Sequence, residues 1–224
     1  MKRSEINHHL LEAEKFFAAH QFRLPEWASW TPREWAVHAG DTREIADCKL
    51  GWDITDFGGD DFARLGLLLF TIRNGINRDK VYDKPYAEKI MLVQPGQVTP
   101  IHFHWHKQED IINRGGGLLL MRLWNSDEQE KLSDRAVNVS IDGVAMTFAA
   151  GQELVMRPGQ SITLRPGIYH TFKAGESAVM AGEVSMVNDD SSDNRFYQPA
   201  GRFPAIEEDE PPVRLLCTEY LKYR

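Results

Sequence analysis

Only two cysteines, Cys48 and Cys217, occur among the 224 residues. Two cannot build a disulfide framework, and so few thiols suit a reducing compartment. Long apolar runs are missing too. The longest, residues 65–72, falls far short of the ~18–20 residues that cross a bilayer as a helix. The basic start, Lys2 and Arg3, is interrupted by Glu12, Glu14 and Lys15 before any apolar stretch forms. No secretory leader is read there, and the expected location is the cytoplasm. Excess positive charge is absent: 33 acidic against 26 basic residues leave a net charge of −7, which speaks against a nucleic-acid partner. Repeats and low-complexity linkers are absent as well. At ~150 residues per domain the length admits one or two domains.

What is present falls into two parts. Residues 4–20 carry Ile6, Leu10, Ala13 and Phe17 at three- and four-residue spacing, the mark of an amphipathic helix. Thr31-Pro32-Arg33-Glu34 is a second helix start, with a Thr cap, Pro at the first position and Glu at the third. From residue 65 onward, short apolar runs alternate with Gly, Pro, Asn and Asp: 65–72, 88–94, 118–124, 137–148, 153–156, 161–164, 168–172 and 178–187. This is the rhythm of an all-β sandwich or barrel. Asp142-Gly143 suits a type I′ turn, which pairs Ile141 with Val144, Val139 with Met146 and Val137 with Phe148. We therefore expect one domain: a helical extension over 1–64 packed on a β-barrel over 65–224. Its polar tail holds an acidic run, Glu207-Glu208-Asp209-Glu210, which either folds over a site or faces water.

The chemistry concentrates in GQVTPIHFHWHKQEDIINRGG, residues 96–116. His102 and His104 are two apart, so on a strand both imidazoles point to one face. Glu109 follows after a short break, and His170 offers a third imidazole from a distant run. Three His and one Glu form a mixed nitrogen and oxygen site with positions left for water or substrate. Imidazole suits Zn, Fe, Ni and Cu, and carboxylate with water suits Mn, so donor type alone does not fix the metal. The spacing Gly96-x5-His102-x-His104-x4-Glu109-x6-Gly116 resembles the first motif of the cupin superfamily. Gly159 with Gly167-x2-His170 resembles the second, although Pro166 stands directly before Gly167 and Ala174 replaces a frequent Asn. The resemblance selects His102 and His104 over His106 as ligands. It also implies an all-β, double-stranded β-helix, a jelly roll that agrees with the strand count.

Two neighbouring residues are candidates for proton chemistry. Lys107 lies between the His pair and Glu109, placed to donate a proton or to bond an anionic intermediate. Glu183 shares a strand face with Ser185, opposite Val184 and Met186. If that apolar face packs outward between sheets, Glu183 faces the barrel interior, where burial raises its pKa and makes it a general base. Residues 187–196 are dense in hydrogen-bonding groups, as a polyhydroxylated ligand requires.

The strings Lys89-Ile90-Met91, Thr99-Pro100-Ile101-His102-Phe103-His104-Trp105-His106-Lys107, Glu109-Asp110-Ile111-Ile112-Asn113-Arg114-Gly115-Gly116-Gly117 and Gly182-Glu183-Val184-Ser185 resemble the D-lyxose isomerases among the cupins. Asn188-Asp189-Asp190 and Asp193-Asn194-Arg195-Phe196 do so too. The resemblance implies a manganese-dependent aldose–ketose isomerase, a cytoplasmic homodimer that interconverts D-lyxose and D-xylulose, with D-mannose and D-fructose as secondary substrates. In this reading one divalent ion, Mn or otherwise Zn, Fe, Co or Ni, sits on His102, His104, Glu109 and His170. Glu183 shuttles the proton through an enediolate, Lys107 serves the sugar oxygens, and Asp189 and Arg195 hold distal hydroxyls. The alternatives are a cupin dioxygenase and a non-catalytic sugar-binding cupin.

Overall fold

Asp142 and Gly143 both take positive φ, 51° and 82°, as a two-residue turn between twisted strands requires. The flanking strands pair in the expected register, Val137 with Phe148, Val139 with Met146 and Ile141 with Val144. Across the other face, Thr147 Oγ1 donates to Asn138 Oδ1 at 2.7 Å. The structure, a computed structural model, describes residues 1–189, 192–201 and 204–223.

Two antiparallel sheets face each other. The strands in chain order are β1 (Gly51–Thr55), β2 (Leu67–Arg73), β3 (Tyr86–Val93), β4 (His102–Phe103), β5 (Glu109–Gly116), β6 (Leu119–Ser126) and β7 (Leu132–Ser133), then β8 (Val137–Ile141), β9 (Val144–Phe148), β10 (Glu153–Met156), β11 (Ser161–Leu164), β12 (Ile168–Ala174), β13 (Val179–Met186) and β14 (Arg195–Phe196). The large sheet runs β1-β2-β3-β13-β5-β11-β8-β9, and the small one β10-β6-β12-β4-β14 with β7 beside β6. Between them lies an apolar core that includes Leu69, Met91, Ile111, Met121, Ile162 and Phe172. Close passage of β5 along β13 requires glycine: a Cβ on Gly116, at φ +87°, would stand 2.3 Å from the Ala178 carbonyl oxygen. That explains the Gly115-Gly116-Gly117 run without a phosphate.

A second core covers the outer face of β1, β2 and β3. There α1 (Arg3–Ala19) packs Ile6, Leu10, Ala13 and Phe17 against Trp52, Leu68, Phe70 and Ile90. Thr31 caps the short helix α2 (Pro32–Val37) reciprocally: its hydroxyl accepts from Glu34 N at 3.3 Å and its N–H donates to Glu34 Oε2 at 2.7 Å. One boundary differs from expectation. Gly51–Thr55, inside the segment read as helical extension, is the edge strand of the large sheet. It is buried on both faces, so the polar/apolar alternation that betrays a half-exposed strand is missing. Among the described residues, no helix is long and apolar enough to cross a membrane.

The acidic run packs on α1. Glu208 and the buried Glu219 hold Arg3 at 2.7 and 2.5 Å. Asp209 accepts from Ser4, and Glu210 from Asn7. These carboxylates are ties between the two ends of the chain and lie outside the histidine cavity.

Candidate metal centre

Register brings the histidines together. β4 pairs with β12 so that His102 stands directly opposite His170, with ring centroids 4.2 Å apart. The strand expected to carry both His102 and His104 ends at Phe103, yet His104 still turns inward, and the three imidazoles offer ligand atoms within 4.8 Å of one another. Glu109 comes from the opposite sheet, at the start of β5. Its Oε1 lies 3.1 Å from His170 Nε2 and 3.5 Å from His104 Nε2. The site thus bridges the two sheets at one end of the barrel.

Each imidazole is oriented from behind. Nδ1 of His102 donates to Pro100 O at 2.9 Å, that of His104 to Asp193 O at 2.7 Å, and that of His170 to Ile168 O at 3.1 Å. A carbonyl only accepts, so the proton sits on Nδ1 and the Nε2 lone pair points inward, the usual arrangement behind a metal ligand. Burial, helped by the neighbouring His170 and His104, pushes His102 well below its ordinary pKa and keeps it neutral. His104 Nε2 and Glu109 Oε1 are buried with no hydrogen-bond partner. Unpaired buried polar atoms are costly, and lone pairs converging from three imidazoles and a carboxylate fit a divalent cation between them.

Beside this group lies a charge cluster. Lys107 Nζ bonds Glu109 Oε2 at 2.9 Å and Glu183 Oε1 at 3.0 Å. Lys89 Nζ reaches both oxygens of Glu183, at 3.1 and 3.3 Å. Asn188 Oδ1 accepts from Lys89 at 2.6 Å and from Lys107 at 3.3 Å. All four charged groups are buried. Burial alone would lower Lys107, but Glu109 and Glu183 hold it above the ordinary lysine value. Glu109 is likewise held well below the usual carboxylate range: burial, the largest single influence, opposes this, and Lys107 together with His104 and His170 outweighs it.

Glu183 faces the barrel interior and Val184 and Met186 point outward, as expected, but the outward pair is not packed between sheets: the two are 40% and 50% exposed. Val179 and Ala181, which share the parity of Glu183, are the core residues. The expected rise in its pKa is also reversed. Burial pushes Glu183 up, but the ammonium groups of Lys107 and Lys89 hold it below its ordinary value, with Glu109 opposing them. Opposite charges at contact distance here exceed desolvation.

The residues expected at the sugar's far end are not brought to the cavity. Arg195 stands opposite Phe103 on β14, and alternation sends Phe196 inward beside His102 while Arg195 goes outward to Glu130 at 2.8 Å. Asp189 lines a separate polar cavity and accepts from Ser192 Oγ at 2.5 Å. Asp190 and Ser191 lie outside the described residues. The cavity wall instead includes Lys89, Asn188, Asn194, Phe57 and Phe196. Lys89 had a readable signal: it shares strand parity with the core residues Met91 and Val93. Asp193 is a further residue the spacing did not single out. Its two carboxylate oxygens accept from His106 N and Lys107 N, each at 2.9 Å.

Comparison with known proteins finds sugar isomerases. The family model described as D-lyxose isomerase matches residues 1–220. The D-lyxose/D-mannose isomerase of Serratia proteamaculans is 52% identical over 226 residues, covering 100% of this chain and 99% of that protein. The D-lyxose/D-mannose isomerase of Escherichia coli O157:H7 is 50% identical over 227 residues, with 100% of each covered. Among solved structures, Cellulomonas parahominis L-ribose isomerase with L-psicose has a TM-score of 0.61 at 18% identity, covering 92% of this chain and 98% of that one. Acinetobacter sp. DL28 L-ribose isomerase in complex with L-ribose gives 0.61 at 16% identity, with the same coverage. These structural likenesses bear out the cupin jelly roll.

Proposed function

Because this chain belongs to the D-lyxose isomerase family and is an aldose–ketose isomerase, we propose that it interconverts D-lyxose with D-xylulose and D-mannose with D-fructose in the histidine cavity. Family membership decides against the oxygenase and non-catalytic readings. We assign His102, His104, Glu109 and His170 as ligands of one divalent ion, with Mn²⁺ favoured by the resemblance. Bound there, such an ion would supply Lewis-acid polarisation of the sugar's carbonyl.

The remaining chemistry belongs to side chains. Glu183 Oε1 is saturated by Lys89, Lys107 and Ser185, the last at 2.9 Å. Among the described residues, Oε2 has only Lys89, at 3.3 Å. Oε2 is therefore the oxygen that takes the proton from the carbon beside the carbonyl and returns it to the neighbouring carbon. Lys107, cationic and directed by two carboxylates, donates a hydrogen bond to the oxygen on which negative charge develops. Phe57 and Phe196, with rings 6.0 Å apart, give the sugar's C–H face an apolar wall. We propose the same homodimeric, cytoplasmic state that the resemblance implies, to be checked by sedimentation and by fractionation.

The observation that carries this reading is an ionised carboxylate, buried beside three converging imidazoles, with one oxygen nearly free. The test is ketose formation from D-lyxose by metal-stripped protein, before and after adding Mn²⁺. Ketose only after addition supports the assignment; metal-independent ketose overturns it. Release of label to water from sugar deuterated at C2 supports the proton route, because a deuteron held on Glu183 exchanges with solvent in part of the turnovers, whereas direct hydride transfer releases none.

A further inference from the structure

Asn188 stands between two compartments. It lines the histidine cavity and also the polar cavity beside it, which Asn74 lines as well. Asn74 does not line the histidine cavity, yet its amide holds the Asn188 backbone on both sides. Asn74 Oδ1 accepts from Asn188 N at 3.0 Å, and Nδ2 donates to Asn188 O at 3.2 Å. A third bond, Nδ2 to Cys48 O at 3.4 Å, fixes the amide's orientation. Asn74 is itself buried.

A slip in strand register delivers it. On β2, Thr71 stands opposite Lys89 but Arg73 stands opposite Glu88, so Ile72 is an extra residue. Such a bulge reverses which side chains face inward. Arg73 is thrown outward to pair with Glu88 at 2.7 Å, and the next residue, Asn74, turns in. Without the bulge, the buried end of β2 would carry an arginine beside Lys89.

We propose that Asn74 is a positioning residue for the isomerisation, acting through Asn188 on the lysine pair that aims Glu183. This rests on the reading of Glu183 as the base. The chain of contacts is short: Asn74 fixes the Asn188 main chain, and Asn188 Oδ1 bridges Lys89 and Lys107. Both ammonium groups in turn bond Glu183 Oε1, at 3.1 and 3.0 Å, and Oε2 carries the longer 3.3 Å bond from Lys89, which makes it the oxygen more open to substrate. Neither lysine can be held this way by a carboxylate without a third buried negative charge, so a neutral amide is the acceptor the cluster requires. Losing the clamp lets Asn188 rotate, and the lysines, released from its Oδ1, crowd onto Oε2, which now carries the long bond from Lys89.

The experiment compares Asn74→Ala and Asn74→Asp with the parent enzyme and with Glu183→Gln, using D-lyxose and Mn²⁺. Asp keeps the acceptor for Asn188 N–H and lacks the donor. Asn74→Ala should lower kcat about 10-fold or more, since small misplacements of a reacting group cost that much. KM should stay within about twofold, and Asn74→Asp should fall between. The isotope effect on kcat with C2-deuterated D-lyxose should grow, because proton abstraction becomes slower than release. A crystal structure of either variant should show Asn188 Oδ1 displaced from Lys89 Nζ. Parent-like kcat in both variants overturns the proposal, as does a loss of kcat with Asn188 still seated on Lys89. An active Glu183→Gln enzyme overturns the assignment of the base instead, and this inference with it.

Discussion

Replacing Asp193 with Ala removes a carboxylate that performs two separate tasks at the edge of the centre. Oδ1 accepts from His106 N in a half-buried position, and Oδ2 accepts from Lys107 N in a buried one. The buried N–H left without a partner costs about 1–3 kcal/mol, and the wetter one about 0.5–1.5 kcal/mol. The sum, about 1.5–4.5 kcal/mol, is a large part of a typical stability of about 5–15 kcal/mol. For a chain of this size it lowers Tm by roughly 3–18 °C. The melt is to be run on metal-stripped protein, so that ligand linkage does not enter. A second arm titrates Mn²⁺. His104 loses no bond directly, because its Nδ1 donates to the Asp193 main chain. That main chain is held in place by the carboxylate, and loosened support behind a ligand typically weakens metal binding about 10–100-fold. An Asp193→Ala protein that melts within a degree of the parent and binds Mn²⁺ equally well would refute this reasoning.

Three further outcomes follow from the same contacts. Lys89→Met removes one of the two cations that depress Glu183; its pKa rises, so the acid limb of kcat/KM moves to higher pH while activity persists above it. An unmoved limb in the pH–rate profile would exclude Lys89 from the base's environment. Arg3→Met leaves Glu219 buried without its cation, which costs about 3–5 kcal/mol; urea denaturation reads this directly, and an unchanged midpoint contradicts it. His102→Ala should abolish Mn²⁺ binding in calorimetry, whereas His106→Ala should retain it. The reverse result would reassign the ligand.

The histidine and glutamate positions were legible because spacing maps directly onto geometry: two residues along an extended chain give one face, and His170 needs only to lie on a neighbouring strand. Glu183 was legible from parity. What parity does not reveal is the partner. Lys89 is 94 residues from Glu183 in sequence, and only strand pairing places the two side by side. The direction of Glu183's pKa shift therefore could not be read from burial alone. Arg195 and Asp189 show the opposite limit. A polar segment announces many donors and acceptors, but a single residue of register decides that Phe196, and not Arg195, enters the cavity. Gly51–Thr55 escaped notice because a strand buried on both sides shows no alternation, and Asp53 in its middle reads as a break.

The ties between Arg3 and its carboxylates have a consequence for synthesis. Glu208 is 205 residues away and Glu219 is 216. At about 5–20 residues per second, the first helix waits some 10–40 s on the ribosome before its arginine meets either partner. Until then a guanidinium destined for the interior stays in water. The helix's apolar stripe of Ile6, Leu10, Ala13 and Phe17 must also wait, for the sheet it will cover. A helix made more than two hundred residues ahead of its partners is thus among the last elements to be locked, and for that interval it is a surface that chaperones and other nascent chains can reach.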